Sequence, residues 1–111
     1  MTIEQLRAYG ADVDEGLGRC FGNEALYLRL TATVPSEKNF GKLREAVAAG
    51  NLKEGFEAAH ALKGVLANLS LTPLLKPVAE VTEYLRAGEE RDYTPYLEEI
   101  EKARAALEQL G

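Results

Sequence analysis

The sequence predicts an all-α protein, an antiparallel (up-and-down) four-helix bundle with short extra helices at its N-terminal end. Helix-capping residues recur along the chain, and each is followed by an apolar stretch that ends near a glycine or a proline. Strand signals are nearly absent, because the chain has no sustained period-two alternation and no Asn-Gly or Asp-Gly turn. Short connections between the predicted helices favour antiparallel neighbours.

Two short helices are expected in the first 22 residues. Thr2 and Gln5 have the spacing of a capping box and predict a helix that ends near residue 10. Asp12 and Glu15 have the same spacing and predict a second short helix that closes near residue 22.

A longer helical segment follows, with Asn23 as its cap. Its apolar anchors are Leu26, Leu28 and Leu30. Pro35 should break or kink this segment, because proline lacks the backbone N–H and clashes with the preceding turn. Ser36 is expected to cap the continuation, and Gly50 to end it.

Three capping signals predict the remaining helices. Asn51 begins a helix that runs to about residue 69. Thr72 followed by a proline predicts the cap of the next helix, which extends to about residue 88. Pro77 lies in the early turns of that helix and should delay its start or bend it. Thr94 followed by a proline repeats the signal, and the last helix extends to about residue 110.

The composition and length are typical of a single-domain globular protein. The 111 residues are enough for one domain, residues 1–111, with a modest core. Hydrophobic residues make up 46% and charged residues 28%. No apolar run approaches the about 20 residues of a membrane span, and the N-terminus lacks a signal peptide, so we expect a cytoplasmic protein without a membrane segment. The single Cys20 cannot form an internal disulfide and is interpreted as core packing.

Charge and motif content exclude several function classes. The net charge is −5, from 13 basic and 18 acidic residues, and the pI is near 4.9. This balance argues against nucleic-acid binding, which needs a basic face. One histidine and one cysteine do not make a structural zinc site, and no glycine-rich phosphate-binding motif is present. We therefore expect no metal, nucleotide or cofactor site in the chain itself.

His60, the only histidine, is the main candidate for chemistry. Successive residues of a helix are about 100° apart, and this rotation clusters the apolar positions of the His60 segment on one side. They are Leu52, Gly55, Phe56, Ala59, Leu62, Leu66 and Leu69. His60 lies roughly 140° from the middle of that cluster, so the imidazole should face solvent. The neighbours expected on the exposed side are Lys53, Glu57, Gly64, Ala67 and Asn68.

Two neighbours make this histidine unusual. Lys63, three residues on, lies at the edge of the apolar side, where its stem can pack while its ammonium reaches towards the imidazole. Gly64 lies inside the helix, where glycine costs about 1 kcal/mol relative to alanine, which suggests that a side chain must be absent there. These residues alone support two interpretations equally: that His60 is functional, and that it is a solvated surface histidine without a role. Glu57 fits a solvated carboxylate better than a hydrogen-bond acceptor for the imidazole, and no Ser-His-Asp or Cys-His arrangement is visible.

Residues 59–69, Ala-His-Ala-Leu-Lys-Gly-Val-Leu-Ala-Asn-Leu, resemble the H-x-L-K-G signature of histidine-containing phosphotransfer (HPt) domains. Residues 17–27 are similar to the family's approach to its second helix, and residues 46–52 to the Ala-Gly-Asp stretch before its histidine helix. The chain departs from the pattern at Val65 and Leu66, which are bulkier than the usual serine or alanine. It also departs at Ser70, where a glycine or another small residue is common.

The resemblance implies a phosphoryl carrier rather than an enzyme. His60 would accept a phosphoryl group from a receiver-domain aspartate and pass it to another receiver, and Lys63 would offset the added charge. The implied docking surface contains Gly64, Ala61 and Ala67, with a polar rim of Lys53, Glu57 and Asn68. The implied partners are a response-regulator receiver domain, which would supply Mg²⁺, and a hybrid sensor histidine kinase.

Two other roles remain open at this stage. The chain would fit the phosphorylated input domain of a larger histidine kinase, with phosphate from ATP through a separate catalytic domain. It would also fit a docking module that is not phosphorylated, although the presence of both His60 and Lys63 argues against that role. A monomer is favoured, because no heptad seam runs beyond the needs of one bundle core.

Overall fold

The computed structural model describes residues 1–111 and contains seven α-helices and no strands, which confirms the all-α prediction. The helices are α1 (Ile3–Tyr9), α2 (Val13–Arg19), α3 (Glu24–Thr33), α4 (Lys38–Ala48), α5 (Leu52–Asn68), α6 (Thr72–Arg86) and α7 (Thr94–Glu108). A 3₁₀ turn, Val34–Ser36, separates α3 from α4 at the predicted proline break. None of the helices combines the length and the apolar character that a membrane crossing requires.

The last four helices form the predicted antiparallel bundle. Helix α5 packs against both α4 and α6, and α6 also packs against α7. The connections from α4 to α5 and from α5 to α6 are three residues each, so successive helices must run in opposite directions. Helices α1 to α3 are the short N-terminal additions. This arrangement places α5 in the middle of the bundle, with one face buried and the opposite face open.

Four of the predicted N-caps are confirmed. The Thr2 capping box is complete, with the Thr2 N–H donating to Gln5 Oε1 at 2.8 Å and the Gln5 N–H donating to Thr2 Oγ1 at 3.1 Å. The other three are side-chain oxygens of Asp12, Asn23 and Asn51, each of which accepts from the backbone N–H three residues later. The predicted stop after α4 is also correct, because Gly50 adopts a left-handed φ of 71° directly after the helix cap.

The other three predicted caps are wrong. Glu37, not Ser36, caps α4, because Ser36 belongs to the 3₁₀ turn that Pro35 starts. Thr72 and Thr94 are already the first helical residues of α6 and α7, and the residues before them are buried and make no side-chain cap. Leu71 and Tyr93 instead pack into the core at these positions, and the Thr94 N–H donates to Asp92 Oδ1 at 3.0 Å. Pro77 is itself buried and does not delay the start of α6.

A single cluster of buried side chains joins the N-terminal helices to the bundle. The apolar face predicted for α5 is largely correct, since Gly55, Ala59, Leu62, Leu66 and Leu69 are buried. The remaining two positions, Leu52 and Phe56, also pack against the core cluster but are only half-buried. Cys20 is unpaired and lies in the core.

Side-chain hydrogen bonds attach each of the three N-terminal helices to the bundle, and one from each helix is described here. The Tyr9 hydroxyl of α1 donates to the Ala103 carbonyl oxygen of α7 at 2.8 Å. The Tyr27 hydroxyl of α3 donates to the Leu69 carbonyl oxygen at 2.9 Å. Arg19 at the end of α2 donates to the Ala67 carbonyl oxygen at 2.9 Å. Two of these three acceptors lie at the C-terminal end of the histidine helix, which is therefore held in place.

Candidate functional site

His60 lies near the middle of α5, on the face opposite the core. The helix begins at the Asn51 cap and places Ala58 and Ala59 in the bundle interior, so that the next residue in the rotation is exposed. The structure thus agrees with the expectation that the imidazole faces solvent. The imidazole of the only histidine is therefore accessible to a second protein.

Phe56 forms one wall of the site. Its ring stacks on the His60 imidazole, with ring centroids 5.5 Å apart and an angle of 20° between the planes. The guanidinium carbon of Arg86 on α6 lies 4.9 Å from the Phe56 ring centroid, within the range of a cation–π contact. Phe56 was expected to face the core; it packs against the core cluster and, four residues before His60, also borders the site.

Lys63 points to α6 rather than to the imidazole. Its Nζ lies 3.6 Å from Oε1 of Glu83, while the other carboxylate oxygen of Glu83 accepts a hydrogen bond from Arg86 Nε at 3.1 Å. One carboxylate therefore pairs with two cations next to the histidine. Sequence reasoning missed both Glu83 and Arg86. The i, i+3 spacing of that pair is visible in the sequence, but its proximity to Lys63 depends on how α6 packs against α5.

Gly64 has open space where its side chain would be. A Cβ placed on Gly64 would meet no other atom within 4 Å, outside the local helix backbone. Gly55, on the buried side of the same helix, differs, because a Cβ there would lie 3.4 Å from Leu85 Cδ2. The packing of this chain therefore gives no reason for a glycine at position 64, although glycine lowers helix stability.

The other expected site residues lie along the same helix. Ala61, Lys53, Glu57 and Asn68 are exposed, and Ala67 is half-buried. No side-chain hydrogen bond or ion pair joins Glu57 or Lys53 to the imidazole or to Lys63.

A polar cluster supports the C-terminal end of this face. Ser70 is buried, has a left-handed φ of 54°, and accepts a hydrogen bond from Arg19 at 2.6 Å. The Ser70 hydroxyl in turn donates to Glu15 Oε1 at 2.9 Å. This hydrogen bond, together with the neighbouring guanidinium, lowers the pKa of the Glu15 carboxyl. The departure from the family pattern at Ser70 thus has a structural role that ties α2 to the end of α5.

The arrangement suits a nucleophile that carries a group without cleaving a substrate. A neutral imidazole can attack with one ring nitrogen while the other holds the proton. Lys63 pairs with Glu83 and Arg86 lies over the Phe56 ring that stacks on the imidazole, so both cations belong to the surroundings of His60 without contacting it. No group of three or more His, Cys, Asp or Glu side chains is placed to share a metal ion.

Comparison with known proteins identifies the family. The sequence model of the Hpt domain matches residues 35–110, which include helices α4 to α7 and the whole His60 site. No curated protein and no solved structure matches the chain. Hpt domains are phosphotransfer modules of two-component signalling that work with receiver domains and histidine kinases. The match extends over more than half of the sequence, and the chain therefore belongs to the Hpt domain family.

Proposed function

We propose that this Hpt domain is a phosphoryl carrier that accepts its phosphoryl group on His60 from a receiver-domain aspartate and passes it to a second receiver. The observation that carries the proposal is the exposure of the only imidazole beside an open position, Gly64, that has no role in the packing of the chain itself. Such a surface can admit a partner's acidic active site within bonding distance.

The transfer requires one bond to form and one to break. An unprotonated ring nitrogen of His60 attacks the phosphorus of the aspartyl phosphate, the phosphorus–oxygen bond to the carboxylate breaks, and the aspartate leaves as a carboxylate. The proton on the other ring nitrogen is released to solvent, which leaves a neutral ring that carries the phosphoryl group. Passing the group to a second receiver reverses these events, and Mg²⁺ on the receivers would balance charge at the phosphoryl oxygens.

Lys63 is the residue proposed to stabilise the phosphorylated state. It lies three residues after His60, next to it on the helix surface, and its side chain is partly exposed. A lysine provides a compact positive charge on a flexible stem, which suits a phosphoryl group that arrives and leaves.

The proposed docking surface for the receiver surrounds His60. Gly64 provides clearance, and the exposed Ala61 and half-buried Ala67 offer small apolar contacts. Lys53, Glu57 and Asn68 form a polar rim at which partner choice is set.

The test is a phosphotransfer assay with a panel of purified phosphorylated receivers and Mg²⁺. The wild-type protein should gain phosphate that is labile in acid and stable in base, as expected of phosphohistidine. His60→Gln should gain none, because glutamine has no nucleophilic ring nitrogen. Phosphate on the His60→Gln protein, or no transfer from any receiver to the wild type, would contradict the proposal.

A further inference from the structure

Glu83 holds a position that the proposed carrier role does not explain. Its two carboxylate oxygens contact different cations, Oε1 with Lys63 and Oε2 with Arg86. The contact with Lys63 is the only salt bridge between α5 and α6. A negative charge therefore already occupies the lysine that is proposed to serve the phosphoryl group.

The pairing of Glu83 with Lys63 is loose. The two charged atoms are 3.6 Å apart, beyond the 2.7–3.2 Å typical of an N–H···O hydrogen bond. The side chains are 37% exposed for Lys63 and 56% exposed for Glu83, so water screens their attraction. Exposed pairs of this kind contribute little to stability. A stronger anion nearby can therefore displace the carboxylate.

Phosphorylation supplies such an anion. A phosphoryl group carries about −1.5 to −2 charges at neutral pH, against one for the carboxylate. On His60 it would lie about one helical turn from Lys63, which is three residues further along α5. Glu83 would retain its second contact, the hydrogen bond from Arg86, and so would stay paired when Lys63 leaves.

We infer that Glu83 is a positioning residue that holds Lys63 on α6 while His60 is unmodified and releases it when His60 carries a phosphoryl group. The inference rests on the proposed function for its biological meaning. Because the lysine must leave one partner to reach the other, Glu83 weakens the net stabilisation of the phosphorylated state. The group is then easier to pass on to the next acceptor.

The test needs no partner protein, because phosphoramidate can supply the phosphoryl group. The His60 ring nitrogen bonds to phosphorus, the phosphorus–nitrogen bond of phosphoramidate breaks, and the proton lost by the ring leaves with ammonia. The pKa of the phosphoryl group is then followed by phosphorus NMR as the pH is raised. A cation that binds the dianion lowers that pKa.

Glu83→Gln should lower the phosphoryl pKa by about 0.2 to 0.7 pH units relative to the wild type, because Lys63 is then free to bind the phosphoryl group. Lys63→Gln should raise it. When Glu83→Gln is added to Lys63→Gln, the effect of the glutamate change should disappear, because Glu83 acts through the lysine. Glu80→Gln is the matched control: it removes the same charge from an exposed residue of α6 that makes no ion pair, and it should produce little change.

Three results would overturn the inference: an unchanged phosphoryl pKa in Glu83→Gln, an equal effect of Glu83→Gln without Lys63, or an equal effect of Glu80→Gln. Failure here is distinct from failure of the carrier proposal. If receivers label His60 but Glu83→Gln has no effect, only the role of Glu83 falls. If the phosphoryl pKa responds as expected but no receiver donates, only the carrier role falls. If phosphoramidate does not label His60, a phosphorylated receiver labels the same variants for the same pKa measurement, and a lack of labelling by both donors overturns the carrier role.

Discussion

At Gly64, the residue that would best stabilise the fold differs from the residue that the proposed function requires. It lies inside α5, and a Cβ there would meet nothing within 4 Å. Its structural effect is a cost, because glycine reduces helix stability relative to alanine. The proposed benefit is clearance for the receiver.

Gly64→Ala should therefore stabilise the protein and slow phosphotransfer at the same time. The free energy of unfolding should rise by up to about 1 kcal/mol, measured by urea denaturation. The rate of transfer from a phosphorylated receiver should fall severalfold, because the added methyl group stands beside the attacking ring. Gly41→Ala in α4 is the control, since its Cβ would only approach a flexible Arg44 side chain at 3.8 Å, and it should leave the transfer rate unchanged. An undiminished rate in Gly64→Ala would contradict the clearance role.

Of the residues around His60, those on α5 could be predicted from the sequence, and those on α6 could not. Helical rotation alone places His60 on the exposed face and Lys63 at its edge, and the structure agrees. The same rotation cannot reveal Glu83 or Arg86, because they lie on α6, and the register of two packed helices depends on side chains along their whole contact. The pairing of Lys63 with Glu83 was therefore not predictable from α5 alone.

At the scale of elements, some helix starts can be predicted from the local sequence and others cannot. Caps formed by a local side chain, such as Asn51 before α5, follow from sequence spacing. The start of α6 does not, because Leu71 at its cap position is buried and makes no side-chain cap, and burial is a property of the assembled bundle. Local rules thus predict which helices exist, whereas packing determines where some of them begin.

Helix α1 is held to α7 by the half-buried phenol of Tyr9, and this contact predicts a dependence of stability on alkaline pH. Burial raises the pKa of Tyr9 from its ordinary 10.0 to about 12. The unfolded chain ionises first as the pH rises above 10.0, so the stability that Tyr9 provides is complete below that value and is lost on the way to about pH 12. Tyr9→Phe should lower stability at neutral pH by about 1 kcal/mol, through loss of the hydrogen bond to Ala103.

The stability difference between wild type and Tyr9→Phe should narrow between those two pH values, as measured by urea unfolding at each pH. Burial also raises the pKa of other tyrosines, including Tyr27 and Tyr93. Both proteins contain these tyrosines, so their contribution cancels in the difference and only that of Tyr9 remains. A stability difference that stays constant between these two pH values would show that the Tyr9 phenol ionises equally in the folded and unfolded chains.

At the scale of the whole molecule, the family match begins at residue 35, whereas the core begins earlier. Leu6, Val13, Cys20 and Tyr27 belong to the same buried cluster as the bundle residues. Side-chain hydrogen bonds from α1, α2 and α3 reach α7 and the C-terminal end of α5. The first 34 residues are thus integrated with the four helices that the family model covers.

This integration predicts that residues 1–111 unfold as one cooperative unit. Calorimetric and van't Hoff enthalpies should agree. A chain restricted to residues 35–111 should lose several kcal/mol of stability. Large apolar side chains of the bundle would become exposed, and burial of each had contributed about 1.5–3 kcal/mol. Two separate transitions in the full chain, or an equally stable shortened chain, would show that the N-terminal helices fold independently.

The stacking of Phe56 on His60 also gives the protein its own spectroscopic reporter. The ring current of an aromatic ring shifts the resonances of protons held over its face, and here the neighbouring protons belong to the only imidazole in the sequence. Those signals need no assignment by mutation or selective labelling, because no second histidine overlaps with them. Protonation, phosphate uptake and receiver contact can thus each be followed at the reacting ring in unlabelled protein.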